Sequence, residues 1–483
     1  MNGSAPESRA QQRALWDYVG QTVAAHVVML FDAGLIDDDA RSRLLAVIDA
    51  VSAAQPPEAT LAGLVADFDN RLDAQTPAGV SGTSRVGRGT ADTVATVSRL
   101  ALRDSVLELG DALDAARRAS LDLAAANVTT LMPAYVGGQP AQPTNFGHFL
   151  GGLIGPLGRT AARMTGVYAE VNRSPLGAAA LASTGLGIER ERAAELLGFD
   201  GPIVNTLDAV AAVDHAVAIA DLTSGMAIAV RRFVVELRTW LRTEPDSFRL
   251  AESWTTAVPD LPQLRVPTRL EALLAGTRAI EADAQALRSA VADLPYGPIA
   301  WCIDEVLTRV FAAVERCITV LKETAVLLGN DLETNRAYLA NRAGRGHTTS
   351  SDLADFLMIE EQLDPGTAQS IAARVTARII GEGIDVSGIT PEIIDAAALM
   401  VIGRELKVEF ESISRYLAPR RFLERRTATG APSPAATRAY LDQEALRLGT
   451  DQRRRTGARE RLSASAASLQ AAIDEALARS VAD

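Results

Sequence analysis

Residues 92–127 read DTVATVSRLALRDSVLELGDALDAARRASLDLAAAN. Within them Leu102, Val106, Leu109, Leu113 and Ala116 recur every three or four positions, which places them on one stripe of a long helix. From Asp208 to Leu241 the chain is apolar on nearly every helical face, interrupted by Asp214, His215, Asp221 and the Arg231-Arg232 pair. That is the pattern of a helix surrounded by other helices, and it is charged too often to cross a membrane. Further long helices are expected over 146–172, 269–291 and 299–328. Breaks fall at Pro140 to Pro143, Pro175, Pro202, Val258 to Pro267 and Leu294 to Pro298. Ala, Leu, Arg and Glu dominate and β-branched alternation is scarce, so strands are expected almost nowhere.

After Gly344 the texture changes to short segments punctuated by Pro365, Pro391 and Pro419. Thr349-Ser-Ser-Asp352 resembles an N-cap ahead of a helix from Leu353 to Ile359. The Arg/Ala/Ser-rich run from Asp451 reads as a surface helix. The expected organisation is an all-α chain in three domains: 1–97, a central long-helix bundle over 98–345, and a small helical domain over 346–483.

The 483 residues carry a formal net charge of −12, and 48% are hydrophobic. That excludes disorder and a small disulfide scaffold. With no overall positive field, neither nucleic acid nor an anionic membrane is an expected partner. Cys302 and Cys317 stand fifteen residues apart in one expected helix, roughly 22 Å along its axis, too far to pair. The opening run Asn2 to Ser8 reads as a polar tail, and without a charged-then-apolar leader the expected location is the cytoplasm. Lys322 and Lys407 are the only lysines, so an ammonium-dependent step has few places to reside. His26, His148, His215 and His347 are too scattered in sequence for a metal box. No metal or cofactor is expected.

Several strings together resemble the argininosuccinate lyases of the fumarase/aspartase superfamily. They are Thr130-Leu-Met-Pro-Ala-Tyr135, Gln139-Pro-Ala-Gln-Pro-Thr-Asn-Phe-Gly-His148, Asn172-Arg-Ser-Pro-Leu-Gly-Ala178, Glu195-Leu-Leu-Gly-Phe-Asp-Gly201, Asn205-Thr-Leu-Asp-Ala-Val210 and Ser350-Ser-Asp-Leu-Ala-Asp-Phe356. Ala418-Pro419 through Arg426 to Pro434 fits the same family's C-terminal segment, and the likeness spans roughly Trp16 to Leu446. The resemblance implies a three-domain helical subunit whose long helices assemble as a homotetramer around a twenty-helix core. It also implies active-site clefts shared between subunits.

The same resemblance implies a mobile loop that supplies a proton-abstracting serine, with lysine and asparagine stabilising the resulting aci-carboxylate. A gap-free match sets Pro262-Gln-Leu-Arg-Val-Pro267 on the end of that loop. Val258 and Pro259 then stand at the serines, Leu264 at the lysine and Val266 at the asparagine. None of these side chains moves a proton or holds a developing negative charge. A second register, with a two-residue insertion, puts Thr255 and Thr256 on the serines instead. The family's Thr-His pair falls on Val136-Gly137, while the glutamate that orients that histidine falls on Glu271. The substrate-holding strings are altered too: Gly89-Thr-Ala-Asp92, Ala211-Ala-Val-Asp214 and Pro298-Ile-Ala-Trp-Cys-Ile303 stand at their positions.

The candidate catalytic residues are therefore Asp260, Thr255 and Glu271: a loop carboxylate, a substitute hydroxyl and the surviving acid. Candidate substrate-binding residues are Arg85, Arg88, Thr90, Gln139, Asn145, Asn205, Gln263, Arg265, Tyr296 and Trp301. Arg265 stands beside the lysine position and has the fork geometry to hold a carboxylate. His148 reads as a packing residue. Three functions are open at this point: a repurposed biosynthetic enzyme acting on a less charged small molecule, an inactive homologue serving as structural or regulatory partner of a paralogous or biosynthetic protein, and a residual C–N lyase that uses Thr255.

Overall fold

The structure is a computed structural model that describes residues 9–77 and 79–480; the polar run Asn2 to Ser8 lies outside the described residues. Helices α1 (Arg9–Asp32), α2 (Asp38–Ala53) and α3 (Leu61–Gln75) close on Trp16 and Phe68, whose ring centroids are 4.9 Å apart. Each of the last two starts where a side-chain oxygen takes an otherwise unpaired N–H. Asp37 accepts from Ala40 and Thr60 from Gly63.

The stretch that reads as one long helix is α4 (Thr90–Ala126), 37 residues or about 55 Å of rod. A hairpin of β1 (Leu131–Val136) and β2 (Gln139–Asn145) leads into α5 (Phe146–Val171). The expected break at Pro140 to Pro143 is therefore a strand. Gly137 and Gly138 both have positive φ, the conformation a two-residue hairpin turn requires, and a two-stranded ribbon tolerates the prolines along its open edge. The short helices α6 (Arg190–Leu196) and α7 (Thr206–Ala211) precede α8 (Asp214–Thr243). The single helix expected over 208–241 is thus divided after Ala211. The Val210 carbonyl, which would continue the helical ladder, instead accepts the Ile299 N–H at 2.9 Å.

Strand β3 (Phe248–Leu250) and a second hairpin, β4 (Thr256–Val258) with β5 (Leu261–Val266), come next, where only a proline-rich break was expected. They are followed by α9 (Thr268–Val291) and by α10 (Ile303–Val326), which starts four residues later than the expected helix because residues 299–302 form a turn. Strand β6 (Leu332–Thr334) pairs antiparallel with β3. The fold is overwhelmingly helical, with strand confined, among the described residues, to three two-stranded ribbons. One apolar cluster runs through the first three helices and the five long rods, with Leu102, Leu113, Leu157, Val230, Leu274 and Leu321 inside it.

The remaining helices are α11 (Arg336–Ala343), α12 (Ser351–Ile359), α13 (Pro365–Glu382), α14 (Pro391–Ile402), α15 (Phe410–Tyr416), α16 (Pro419–Arg425) and α17 (Pro434–Ser480). A separate small core of Leu353, Phe356, Ile371, Val375, Ile394 and Ile413 holds α12 to α15 together. The expected N-cap run stands at the start of α12, but Ser350, the residue in the N-cap position, makes no side-chain capping bond. The buried Asp352 carboxylate instead takes hydrogen bonds from Arg425 and Arg426. The run from Asp451 is helical as expected, but α17 is more than a surface rod, because Leu448, Ala458, Leu469 and Ala476 bury one of its faces against α2, α4 and α5. Arg117 of α4, 1% exposed, bridges Asp114 and Asp451 at 3.5 and 2.8 Å. Arg117→Ala removes the buried cation shared by these two carboxylates, of which Asp114 keeps its pairing with Arg455, and is expected to cost about 3 kcal/mol, to be read as a lowered urea midpoint.

Candidate active site at the two ends of the bundle

Chain direction sorts the candidate residues before any side chain is considered. Helices α4, α8 and α10 run one way, and α5 and α9 return. The two hairpins therefore sit together at one end of the bundle, where Thr334 Oγ1 donates to Asn127 Oδ1 at 3.3 Å. Arg85, Arg88, Thr90, Asn205, Tyr296 and Trp301 gather at the other end. There the Asp92 carboxylate takes amide hydrogen bonds from Gly177 and Ala179, each at 2.9 Å. The 24 residues of α9 separate Arg265 from Tyr296, a rise of about 36 Å. One chain does not bring the two sets of residues together.

At the hairpin end, the 256–266 segment is anchored at its base. Trp254 is fully buried, donates from Nε1 to Asp331 Oδ2 at 2.7 Å, and lies 4.6 Å beneath the Arg269 guanidinium. Arg269 is held in turn by Glu323, with Nη2 to Oε1 at 3.0 Å. Thr256 and Thr268 share a hydroxyl hydrogen bond of 2.7 Å across the base. Beyond the base, Leu261, Leu264 and Val266 are exposed, Asp260 stands at the solvent-facing tip and Gln263 is exposed on β5. Arg265 turns back toward the base: Nε donates to Thr255 Oγ1 at 2.8 Å and Nη1 lies 3.4 Å from Glu252. Glu271, on the first turn of α9, pairs with Arg238 at 3.3 Å.

On the neighbouring hairpin, Val136 at the tip is 72% exposed and Gln139 is open to solvent. Asn145 has a different place. It is completely buried, its Oδ1 accepts the His148 N–H at 2.7 Å as the N-cap of α5, and its Nδ2 donates to Pro432 O and Thr437 Oγ1. Every polar atom of that side chain is committed to bonds within the chain. Asn145→Ala is expected to lower stability by about 2 kcal/mol, measured by chemical denaturation.

At the opposite end Arg88 is likewise structural rather than open to a ligand. It is buried between Asp69 at 2.6 Å, Thr93 Oγ1 at 3.1 Å and Ser84 O at 3.2 Å. Arg85 pairs with Asp73 at 2.5 Å. Asn205 spends its Oδ1 on the Leu207 and Asp208 amides, capping α7. Thr90, Val204, Tyr296 and Trp301 are exposed, Tyr296 almost entirely. The organiser of this end is Asp92. Besides the Gly177 and Ala179 amides it takes the Gly89 N–H at 2.8 Å, so it ties the loop after α5 to the start of α4. An acid three residues after a helix N-cap is its sequence signature, but the long-range amides are not readable from sequence.

Burial pushes the Asp92 carboxyl up to about 6, although the three amides and Arg88 work the other way. His26 is buried, and burial together with Arg88 holds its imidazole at about 3 against the opposing hydrogen bond to Val86 O. Burial, then Arg99, holds His215 at about 4, with Asp214 working in the opposite sense. Among the described residues no three His, Cys, Asp or Glu side chains converge as a metal site, and no helix is long and apolar enough to cross a membrane.

These shifts fix a pH dependence of stability. Below pH 6.5 the unfolded chain protonates both histidines, while the native state leaves His215 neutral to about pH 4 and His26 to about pH 3. Each therefore removes stability as pH falls, by about 1.4 kcal/mol per pH unit. Asp92 does the reverse, taking its proton near pH 6 in the native state and near 3.8 when unfolded. Between about pH 6 and 4 it offsets one histidine, so these three groups together contribute a loss of about 1.4 kcal/mol per unit. Urea titrations across that range should show this slope, and His215→Gln should flatten it.

Comparison with known proteins agrees with this architecture. A family model described as Lyase matches residues 59–276. An argininosuccinate lyase of Methanoculleus marisnigri is 30% identical over 439 residues, covering 88% of this chain and 86% of that protein. The chain belongs to the argininosuccinate lyase family. Argininosuccinate lyase 1 of Shouchella clausii extends the match to 460 residues at 27% identity, with 92% of this chain and 90% of that protein covered. Among solved structures, an EDDS lyase in complex with formate superposes with a TM-score of 0.83 at 25% identity, over 96% of this chain and 92% of that chain. A class II fumarase from Schistosoma mansoni, 13% identical, shares the fold with a TM-score of 0.69 over 84% of this chain and 90% of that one. The fold is thus that of the fumarase/aspartase superfamily, whose relatives named here are lyases and a fumarase.

Proposed function

We propose that this family member is an enzyme of lyase type acting on a small molecule less charged than argininosuccinate. Its cleft forms where the hairpin end of one subunit meets the Tyr296 and Trp301 ends of others in a homotetramer. The observation that carries the reading is the surface of the 256–266 hairpin. Leu261, Leu264 and Val266 are exposed, and its single cation, Arg265, is already engaged by Glu252 and Thr255. Val136, Val204, Tyr296 and Trp301 extend this character to the other segments that would line such a cleft. A polyanionic substrate would gain little from these groups, whereas an apolar or aromatic body would bury them at about 25 cal/mol per Å². In the gap-free register the reaction the family carries out has neither its base nor its anion-stabilising partners, and the Arg238 pairing of Glu271 gives that acid a structural occupation.

One contact favours a second reading. The Arg265 guanidinium donates to Thr255 Oγ1 at 2.8 Å, which would favour the alkoxide form of that hydroxyl. A Thr255 alkoxide taking the proton next to a substrate carboxylate, with the C–N electrons leaving on nitrogen, would be an elimination releasing fumarate and the free amine or guanidine.

Fumarate release from argininosuccinate, followed by ultraviolet absorbance beside an authentic lyase, separates the two readings. The proposal expects no release above background, unchanged in Thr255→Ala. Release abolished by Thr255→Ala would establish the second reading instead. Sedimentation equilibrium should return four copies per particle, and a monomer would remove the shared cleft on which the proposal depends.

A further inference from the structure

One buried polar group with an unpartnered nitrogen, away from both bundle ends, is the Arg103 guanidinium. Arg103 projects from the middle of α4 and is 7% exposed. Its Nη1 donates to Leu197 O at 2.9 Å and Asn172 Oδ1 at 3.2 Å, and its plane lies 5.1 Å from the centre of the Phe199 ring. Its Nε has no hydrogen-bond partner among the described residues; the nearest carboxylate oxygen, on Asp104, is 3.9 Å away. A buried guanidinium nitrogen without a partner is costly, and Arg103 is also one of the residues that line a cavity of about 380 Å³.

The cavity lies between α1, α2 and the C-terminal half of α17, with the Leu196-Leu197 turn beneath it. No residue of either hairpin lines it. Its walls are fixed by close helix packing: a Cβ at Gly20 would fall 2.3 Å from Ser52 Oγ. Leu45, Ile48, Leu469 and Ile473 supply an aliphatic belt, and Asp17 and Asp49 stand at its more open positions. Asp17 is paired with Arg13. The volume is at the small end of ligand sites, which run from roughly 300 to 1,000 Å³.

We propose that this cavity is a ligand site for a small aliphatic zwitterion of amino-acid type, with its carboxylate toward the Arg103 guanidinium, its ammonium toward Asp49 and Asp17, and its side chain along the Leu/Ile belt. One guanidinium matches one carboxylate. The two acids disfavour a dianion such as phosphate or a dicarboxylate, and they reward a ligand that brings its own cation. The belt excludes a purely polar ligand. Because α17 forms one wall and α1 and α2 another, an occupied site would also clamp the chain's last helix to its first two.

Titration calorimetry with L-leucine, 4-methylpentanoate, 3-methylbutylamine and inorganic phosphate tests the assignment on the full-length protein. L-Leucine should saturate at one site per chain, with the two half-ligands and phosphate each weaker by about tenfold or more. Arg103→Lys, which keeps the charge and loses the fork, should weaken L-leucine by about tenfold. Ala466→Trp, which fills the cavity from α17 without touching Arg103, should abolish binding while the circular dichroism spectrum is unchanged. Absence of saturable binding to the folded wild-type protein would overturn the proposal. So would L-leucine binding that survives Ala466→Trp, or phosphate binding as tightly as L-leucine.

Discussion

The shared apolar core of α4, α5, α8, α9 and α10 is the constraint on which everything else depends. Rods of 24 to 37 residues, buried along most of their length, cannot slide or rotate singly without exposing several large side chains, each worth about 1.5–3 kcal/mol. Their alternating directions then dictate that the segments between them emerge at two ends, about 36 Å apart or more. One chain therefore presents a pair of hairpins at one end and the Thr90, Tyr296 and Trp301 face at the other. Exposed apolar residues on the rods themselves, Ile228 and Val235 of α8 and Val326 of α10, are further surface that burial against another copy would stabilise.

Around these ends, buried polar side chains hold irregular backbone in place. Asp92 collects three amides, Arg88 fills the space between Asp69, Ser84 and Thr93, and Asn145 caps α5 while holding residue 432. Each is a polar group near a candidate cleft whose bonding capacity is used up inside the chain. This explains why polarity alone is a poor guide to a site: buried polar atoms must be satisfied wherever they lie, and loops at the ends of a helical bundle have many amides and carbonyls to satisfy.

How much could be read in advance follows from the range of each interaction. The rods over 92–127, 146–172 and 269–291 were legible to within about two residues, because apolar periodicity is local. The division of the 208–241 stretch was not, since it turns on a hydrogen bond between Val210 and Ile299, 89 positions apart. Both hairpins were hidden behind their prolines, although the Gly137-Gly138 pair carried a signal for the first. The docking of α17 was invisible because its Arg-rich sequence looks like a solvated face; only with Asp111, Asp114 and the small Gly110 surface opposite does that face become an interface. The family was legible from ordered strings, and the comparisons support it. Of the candidate site residues, those exposed on the hairpins and at 296–301 are free to meet a ligand, while Arg88 and Asn145 are not.

In the proposed reading the decisive element is the segment that follows Trp254. Its base is fixed by a buried indole, a stacked arginine and a pair of threonine hydroxyls, its strands are paired from Thr256–Val266 to Val258–Leu261, and Leu261, Leu264 and Val266 are exposed on it. Such a segment presents a shaped wall rather than a mobile donor of a proton acceptor. Hydrogen–deuterium exchange over residues 254–266 of the purified protein tests this most directly. The account predicts slowed exchange within the paired strands, with fast exchange confined to the Pro259-Asp260 turn. Exchange at the rate of an unstructured peptide throughout the segment would contradict it.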